Sequence, residues 1–285
     1  MIAGVKINLS LRVGPRRGDG YHELATVLAA LPIGDDLDLE PARSTHVDAP
    51  GLAGGDGLVT RALALLAARA GHGEGWRVRI EKRTPVGAGL GGGSADAGLA
   101  LRLANAALPR PLAPDALIAV AAEVGSDVPF FAAGYAAALA RGRGEDLEPC
   151  TIGGGAWAVL AWPGEALSTA AVYARYRPLG GADARVAELA AAPFATAGAE
   201  QLAALVENDL AAPAEQLCPA ATALRLNLLG GGALTACVSG SGSAVFGLFA
   251  SRSAAEEGRG GVAGAAAWTA VAPLPGGDPA ATITV

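Results

Sequence analysis

The chain has 285 residues, of which 52% are hydrophobic and 5% aromatic, and its formal net charge at pH 7 is -6. This length suits two domains or one large α/β unit, and the scattered Lys and Arg residues argue against a nucleic-acid partner. No stretch approaches about eighteen apolar residues without Gly, Pro or a charge, so we expect a soluble protein that is neither exported nor inserted in a membrane. Three widely spaced cysteines without a C-x-x-C pair predict free thiols in a reducing compartment, the cytoplasm.

The opening residues predict a strand with a polar pair. Apolar and polar residues alternate from Val5 to Val13, which places Lys6 and Asn8 side by side on one face of a sheet. An edge strand with one solvated face is the alternative interpretation of this run alone. Strands are predicted to continue to about residue 40, around a turn at Gly14 to Gly20.

The rest of the first half predicts alternating helices and strands, each bounded by Gly or Pro. In chain order we expect a helix at 57 to 70 ended by Gly71, a strand at 76 to 82, a helix opening at Ser94 and closed by Pro109, a helix at 114 to 124 ended by Gly125, and a strand at 135 to 141.

A run of three glycines near Pro149 to Gly155 predicts a domain boundary, with domains at 1–149 and 150–285. The second half has an α+β pattern. We expect strands at 156–162, 234–239, 243–249 and 268–272 and helices at 168–176, 199–210 and 214–229. The Ala/Gly runs at 189–200 and 258–267 are predicted to be mobile loops.

A glycine-rich loop lies between the strand at 76 to 82 and the next helix. Such a loop exposes consecutive backbone N–H groups at the positive end of the helix dipole, which favours phosphate binding. A flexible turn is the alternative. The loop lacks the Lys of a Walker A motif, and no acidic residue at the end of a strand follows about twenty residues later, as dinucleotide binding would require. The predicted phosphate-binding residues are Pro85, Val86, Gly87, Ala88, Gly89, Leu90, Gly91, Gly92, Gly93 and Ser94.

The pattern P-x-x-x-G-L-G-G-G-S-A in this loop resembles the phosphate loop of the GHMP kinase superfamily. Together with K-I-N-L-x-L, D-G-Y-H-E-L, G-S-D-V-P-F-F, N-D-L and S-G-S-G-S-x-V-F-G, it is similar to one family of that superfamily. Members of that family phosphorylate the 2-hydroxyl of a cytidine diphosphate derivative of methylerythritol, in the non-mevalonate isoprenoid pathway. The resemblance implies a two-domain α+β fold, with an N-terminal ATP-binding α/β domain, a C-terminal ferredoxin-like domain and the active site in the cleft between them.

The resemblance implies a catalytic pair, Lys6 and Asp127. Asp127 would take the proton from the acceptor hydroxyl, and Lys6 would orient Asp127 and neutralise charge at the reacting centre. Because Asp127 lies between a helix-ending Gly125 and Pro129, we expect its backbone to be non-helical. An Asp in a turn that only caps local structure is the alternative for this segment alone.

The resemblance also implies the remaining contacts. Asn8 adjoins the catalytic pair, Tyr21 and His22 contact the cytosine, and Thr169 contacts the substrate from the second domain. ATP is the expected phosphate donor, with Mg²⁺ and with Ser94 as its candidate ligand, and the expected assembly is a monomer or weak homodimer. The chain departs from the family pattern at Gly57, where an Asn lies near the adenine, and at Ala211, where an acid is common.

Two alternatives to this function stay open at the level of sequence. Another small-molecule GHMP kinase, such as a homoserine kinase, would share the phosphate loop. A catalytically silent member of the superfamily would keep the fold and lose the base or the lysine, and retention of both Lys6 and Asp127 argues against it.

Overall fold

The computed structural model describes residues 1–52, 56–178 and 181–276. Strands alternate with helices along these residues. The strands are β1 (Ile2–Arg16), β2 (His22–Ala42), β3 (His46–Asp48), β4 (Gly75–Glu81), β5 (Ala137–Gly142), β6 (Asp146–Pro149), β7 (Trp157–Trp162), β8 (Glu207–Asn208), β9 (Thr235–Val238), β10 (Val245–Phe249) and β11 (Trp268–Pro273). The helices are α1 (Gly57–Ala70), α2 (Gly92–Ala107), α3 (Pro114–Val124), α4 (Val128–Ala133), α5 (Thr169–Arg175), α6 (Ala182–Glu188), α7 (Ala192–Thr196), α8 (Ala199–Leu205), α9 (Ala211–Leu217), α10 (Pro219–Gly230) and α11 (Arg252–Val262).

The first sheet is built on a long hairpin of β1 and β2. These strands pair antiparallel from Ile2 opposite Asp36 to Arg16 opposite His22. The C-terminal part of β2 pairs with β4 and its N-terminal part with β5. The strand order is therefore β3-β4-β2-β1-β8, with β5 added to β2 and β6 to β5. Helices α1 to α4 pack on this sheet around a core that includes Leu63, Trp76 and Phe130. None of the helices in the described part of the chain is both long and apolar enough to cross a membrane.

The second sheet has the order β11-β7-β10-β9, and all its neighbouring strands are antiparallel. Numbered by their appearance in the chain, these strands lie in the order 4-1-3-2. Helices connect the first strand to the second, and α11 connects the third to the fourth, which is the β-α-β-β-α-β arrangement of a ferredoxin-like fold. The predicted α+β class and the ferredoxin-like second half are confirmed.

Strand β1 is enclosed on both faces. Its apolar residues Val5, Ile7 and Leu9 belong to the same buried cluster as Phe194 and Phe246 from the second half of the chain. Lys6 and Asn8 on the opposite face are only 4% and 5% exposed. The alternative of an edge strand with a solvated face is therefore wrong, because the second half covers one face and the candidate site lies on the other.

Several expectations for individual elements are wrong. Helix α2 begins at Gly92, two residues before the predicted Ser94, since Gly91 adopts the left-handed conformation and ends the loop. The runs at 189–200 and 258–267 are not loops throughout: α7 and α8 occupy much of the first and α11 extends to Val262 in the second. The predicted helix at 199–210 stops at Leu205, and 214–229 contains parts of two helices, because Pro219 begins a new helix.

Candidate active site

A cleft of about 670 Å³ lies between the two sheets and is lined by residues from both halves of the chain. It brings together most of the residues predicted from the sequence. Those that line it are Lys6, Asn8, Tyr21, His22, Gly87, Gly89, Gly91, Ser94, Asp127 and Thr169. Residues more than 160 positions apart in the chain therefore line the same cleft.

The side chain of Lys6 is buried at the floor of the cleft. Its Nζ donates hydrogen bonds to Asn8 Oδ1 at 2.7 Å and to the carbonyl of Gly89 at 3.0 Å. Asn8 Nδ2 in turn donates to Thr26 Oγ1 at 2.9 Å, which fixes the orientation of the Asn8 amide. Burial lowers the pKa of Lys6, while the nearby carboxylate of Asp127 acts in the opposite direction. The polar face predicted for β1 thus carries a lysine whose ammonium contacts the glycine loop.

Asp127 lies opposite Lys6, with Oδ2 at 3.8 Å from Lys6 Nζ, and its side chain is 42% exposed to the cleft. The residue immediately precedes α4 and has right-handed helical dihedral angles, φ -86° and ψ -15°. The expectation of a non-helical backbone is therefore wrong. Pro129 occupies the first turn of α4, where its missing N–H is not needed, so it starts a helix instead of excluding one. The Asp127 side chain makes no capping bond to this helix and faces the cleft.

The glycine loop meets the cleft at alternate residues. Gly87, Gly89 and Gly91 have positive φ angles and line the cleft, whereas Ala88 and Leu90 are buried in the core. This alternation explains why only part of the predicted run reaches the cleft wall. No side chain caps the N-terminus of α2, so the N–H groups of its first turn are free to face an anion.

Gly89 is also where the glycine loop touches the second half of the chain. Its carbonyl accepts from Ser239 Oγ at 3.2 Å as well as from Lys6, and a Cβ placed on Gly89 would lie 2.4 Å from the carbonyl oxygen of Ser239. The backbone N–H of Ala244 donates to the carbonyl of Ala88 at 2.9 Å. The turn at residues 239–243 is therefore packed directly on the glycine loop.

Aromatic residues line the cleft on the side away from the glycine loop. The His22 ring lies 5.3 Å from the ring of Tyr173, and His22 Nδ1 hydrogen-bonds to the carbonyl of Gly14 at 2.8 Å. Tyr21 is 54% exposed, and the guanidinium of Arg143 lies 5.1 Å from its ring centre. Burial raises the pKa of Tyr173 to about 12, with the charge of Asp127 acting in the same direction, so this phenol keeps its proton.

Thr169 reaches the cleft from the first turn of α5. Its Oγ1 lies 3.0 Å from Ser241 Oγ in the turn at 239–243. Sequence reasoning missed Tyr173 as a lining residue. Tyr173 carried a usable signal, because it follows Thr169 by four residues in a predicted helix and so lies on the same helical face.

A buried cluster of charges lies behind the glycine loop. Lys82 Nζ donates to Asp96 Oδ2 at 2.6 Å and also bonds to Asp35, which accepts the backbone N–H groups of Arg83 and Thr84. Burial, together with repulsion from Asp35, raises the pKa of Asp96 to about 7 despite the bond from Lys82. This cluster fastens the residues that enter the glycine loop to the start of α2.

Comparison with known proteins gives the class of this fold and site. The GHMP kinase N-terminal domain family matches residues 57–135, and the GHMP kinase C-terminal family matches residues 193–265. The solved structure of a homoserine kinase from Cytophaga hutchinsonii has the same fold, with a TM-score of 0.69 at 16% identity over 97% of both chains. The chain is a GHMP kinase, an ATP-dependent small-molecule kinase of two α/β parts.

More similar relatives narrow this class. A 4-diphosphocytidyl-2-C-methyl-D-erythritol kinase from Anaeromyxobacter dehalogenans (strain 2CP-C) is 42% identical over 89% of this chain and 82% of the relative. A kinase of the same name from Desulfotalea psychrophila is 39% identical over 87% and 85%. A crystal structure of 4-(cytidine 5'-diphospho)-2C-methyl-D-erythritol kinase has a TM-score of 0.79 at 35% identity, over 97% of this chain and 99% of the other. The chain belongs to the 4-diphosphocytidyl-2-C-methyl-D-erythritol kinase family.

Proposed function

We propose that this chain transfers the γ-phosphate of ATP to the 2-hydroxyl of 4-(cytidine 5'-diphospho)-2-C-methyl-D-erythritol, in the non-mevalonate route to isoprenoids. The observation that carries the proposal is the single cleft in which Lys6 and Asp127 lie 3.8 Å apart, between the glycine loop and the aromatic pair Tyr21 and His22. Relatives that bear this kinase name share 39–42% identity with most of the chain. Neither homoserine kinase nor a silent family member is favoured.

In this proposal Asp127 is the general base. Its carboxylate accepts the proton of the acceptor hydroxyl while that oxygen attacks the γ-phosphorus and ADP leaves. Lys6 faces the same carboxylate, and its ammonium stabilises the negative charge that builds up on the transferred phosphoryl group. Asn8 holds the Lys6 ammonium in place through the 2.7 Å bond to its Oδ1.

The donor side of the cleft fits the phosphates of ATP. Gly87, Gly89 and Gly91 offer close backbone approach, and the uncapped start of the 16-residue helix α2 offers N–H groups and the positive end of its dipole. Mg²⁺ would neutralise phosphate charge when bound with ATP, and we propose the Ser94 hydroxyl as its protein ligand. The other predicted loop residues are proposed to hold the shape of this cradle.

The acceptor side is proposed to bind the cytidylyl group. Tyr21 would stack on the cytosine and His22 would hydrogen-bond its polar edge, with the His22 ring oriented by the bond to the Gly14 carbonyl. Arg143 beside Tyr21 supplies a cation on the wall of the cleft, which suits an acceptor that carries a diphosphate. Thr169 is proposed as the contact from the second half.

We further propose a division of the chain into domains at 1–149 and 150–285, supported by the end of β6 at Pro149 and the start of the second sheet at Trp157. A cytoplasmic location is supported by three cysteines that are all buried and unpaired in the described residues. We also propose that the protein is a monomer or a weak homodimer.

The test is an assay of ADP release with ATP and, in parallel, the cytidine-diphosphate derivative of methylerythritol, homoserine or mevalonate. We expect turnover with the first acceptor alone. Turnover confined to homoserine would contradict the proposed acceptor while leaving the kinase class intact. Absence of turnover with all three acceptors, by a folded protein that binds ATP, would favour a catalytically silent member.

A further inference from the structure

The segment Asn208–Asp209–Leu210 has no role in the reaction described so far. Asn208 ends the short strand β8, which lies parallel to β1 with Leu11 opposite Asn208. The neighbouring Asp209 fixes the segment, because its backbone N–H donates to the carbonyl of Leu11 at 2.9 Å and its carboxylate accepts the N–H of Val13 at 2.9 Å. Asn208 is thus held in register on the strand that carries Lys6.

The Asn208 side chain uses both of its donor hydrogens and its carbonyl oxygen. Its Nδ2 donates to the carbonyl of Val238 at 2.9 Å and to the carbonyl of Gly240 at 2.8 Å, while its Oδ1 accepts the N–H of Leu210 at 2.8 Å. A primary amide is the side-chain group that offers two donors and an acceptor together. The two carbonyls flank Ser239, so Asn208 holds the start of the turn at 239–243.

That turn lies on the reacting groups. A Cβ placed on Gly240 would be 3.2 Å from Lys6 Nζ and 3.3 Å from Asn8 Oδ1, and Ser239 Oγ donates to the carbonyl of Gly89 at 3.2 Å. The same Gly89 carbonyl accepts from Lys6. A shift of the turn would therefore expose Lys6 to water and remove one of the two donors to Gly89.

We propose that Asn208 is a positioning residue for phosphoryl transfer, which holds the turn at 239–243 over Lys6 and against the glycine loop. This inference rests on the proposed function for its kinetic consequence, because misplacement of reacting groups by about 1 Å lowers rates by up to about a hundredfold. Its structural consequence, the enclosure of Lys6, is measurable without any substrate.

The kinetic test compares Asn208→Asp and Asn208→Ser with wild type. Aspartate keeps the shape of the side chain but turns an oxygen toward two carbonyl oxygens, and serine is too short to reach both. We expect kcat per folded molecule to fall by between about tenfold and a hundredfold, with KM for ATP within about twofold. Asn227→Asp, on an exposed face of α10, is the matched control and should turn over like wild type.

The second readout uses the two lysines of the sequence, Lys6 and Lys82. The protein is labelled with ¹³C at lysine Cε, so that each lysine gives its own resonance. Asn208→Ser should raise the pKa of Lys6, because water then reaches a group whose pKa is lowered by burial. The Lys82 resonance should not shift. Ser239→Ala keeps Asn208 but removes the hydrogen bond from Ser239 Oγ to the Gly89 carbonyl. Like Asn208→Ser, it should lower kcat and raise the pKa of Lys6.

Unchanged kcat and an unchanged Lys6 resonance in folded Asn208→Ser would overturn the positioning role. Equal shifts of the Lys6 and Lys82 resonances would also overturn it, because they indicate a general loosening of the fold. Failure of the proposed function has a different signature. In that case wild type itself would lack turnover with the cytidylyl acceptor, and the Lys6 resonance would still decide whether Asn208 encloses this lysine.

Discussion

At the residue scale, the site depends on how burial and charge are balanced at Lys6. The ammonium has lost water but gains Asn8 Oδ1, the Gly89 carbonyl and the carboxylate of Asp127 at 3.8 Å. Asp127, in contrast, stays open to the cleft, where a substrate hydroxyl can reach it. The cation is thus enclosed while the carboxylate stays accessible, as the proposed base requires.

Replacement of Asp127 by Asn should lower kcat by about 10²–10⁴-fold, because the amide cannot take the proton of the acceptor hydroxyl. The affinity for ATP should change little, since the proposed function assigns Asp127 to the acceptor and not to ATP. Steady-state kinetics together with nucleotide binding by calorimetry measure both effects. Asp115→Asn, at an exposed position of α3, is the control. Undiminished turnover of Asp127→Asn would exclude this residue as the base.

Asp96 gives a second prediction, on the pH dependence of stability. Its pKa is raised from 3.8 to about 7 by burial, so the folded state binds this proton more tightly than the unfolded state. The stabilisation is complete below about pH 4 and is lost as the pH rises through about 7. The free energy of unfolding of wild type, relative to Asp96→Asn, should therefore fall between pH 4 and pH 7. Denaturant unfolding of both proteins at several pH values checks this, and parallel curves would contradict it.

At the scale of elements, the glycine loop and the turn at 239–243 fit together through backbone atoms. Gly89 has φ +85°, and a methyl group there would meet the carbonyl of Ser239 at 2.4 Å. A residue with a Cβ would be strained at this positive φ and would clash with a backbone atom, and moving a side chain relieves neither. The interface between these two loops therefore specifies glycine for two independent reasons.

Gly89→Ala should destabilise the protein by at least about 1–3 kcal/mol from backbone strain alone. Gly93 provides a matched control in the same run: it lies in the first turn of α2, and the nearest atom to an added Cβ is Leu58 Cδ1 at 3.4 Å. Gly93→Ala should be neutral or stabilising by up to about 1 kcal/mol, because Ala favours helices over Gly. Chemical denaturation of both variants compares them, and equal stabilities would refute the proposed fit of the loops.

The elements also show what sequence patterns can give. The alternation in β1, the Pro and Gly at the ends of α3 and the glycine loop predict these elements because local chemistry determines them. The predictions for the backbone of Asp127 and for residues 189–200 were wrong, since a proline in the first turn and an alanine-rich run are compatible with several conformations. The bonds from Asn208 to Val238 and Gly240, and from Lys82 to Asp96, join residues well separated in the chain, which no local pattern encodes.

At the scale of the whole molecule, the two halves share a buried apolar cluster. Val5, Ile7 and Leu9 are fully buried against a cluster that contains Phe194 and Phe246, and β8 from the second half extends the first sheet. Residues 1–149 therefore lack one strand of the first sheet, β8, which comes from the second half of the chain.

A fragment of residues 1–149 should consequently fail to unfold cooperatively, because one face of β1 would expose apolar side chains. Heat or denaturant unfolding of the fragment, monitored by circular dichroism, is the measurement. Addition of a separate chain of residues 150–285 should restore a cooperative transition. A sharp transition in the first fragment alone would show that each half folds independently.

The enclosure of Lys6 and of Lys82, which is only 12% exposed, has a practical consequence. These are the two lysines of the sequence, so the other 19 of its 21 Lys and Arg residues are arginines, which reagents for primary amines do not acylate. Reagents that acylate primary amines should thus react slowly with both lysine side chains in the folded protein and faster once it unfolds. The rate of lysine acylation therefore reports how often the folded chain opens around these two side chains.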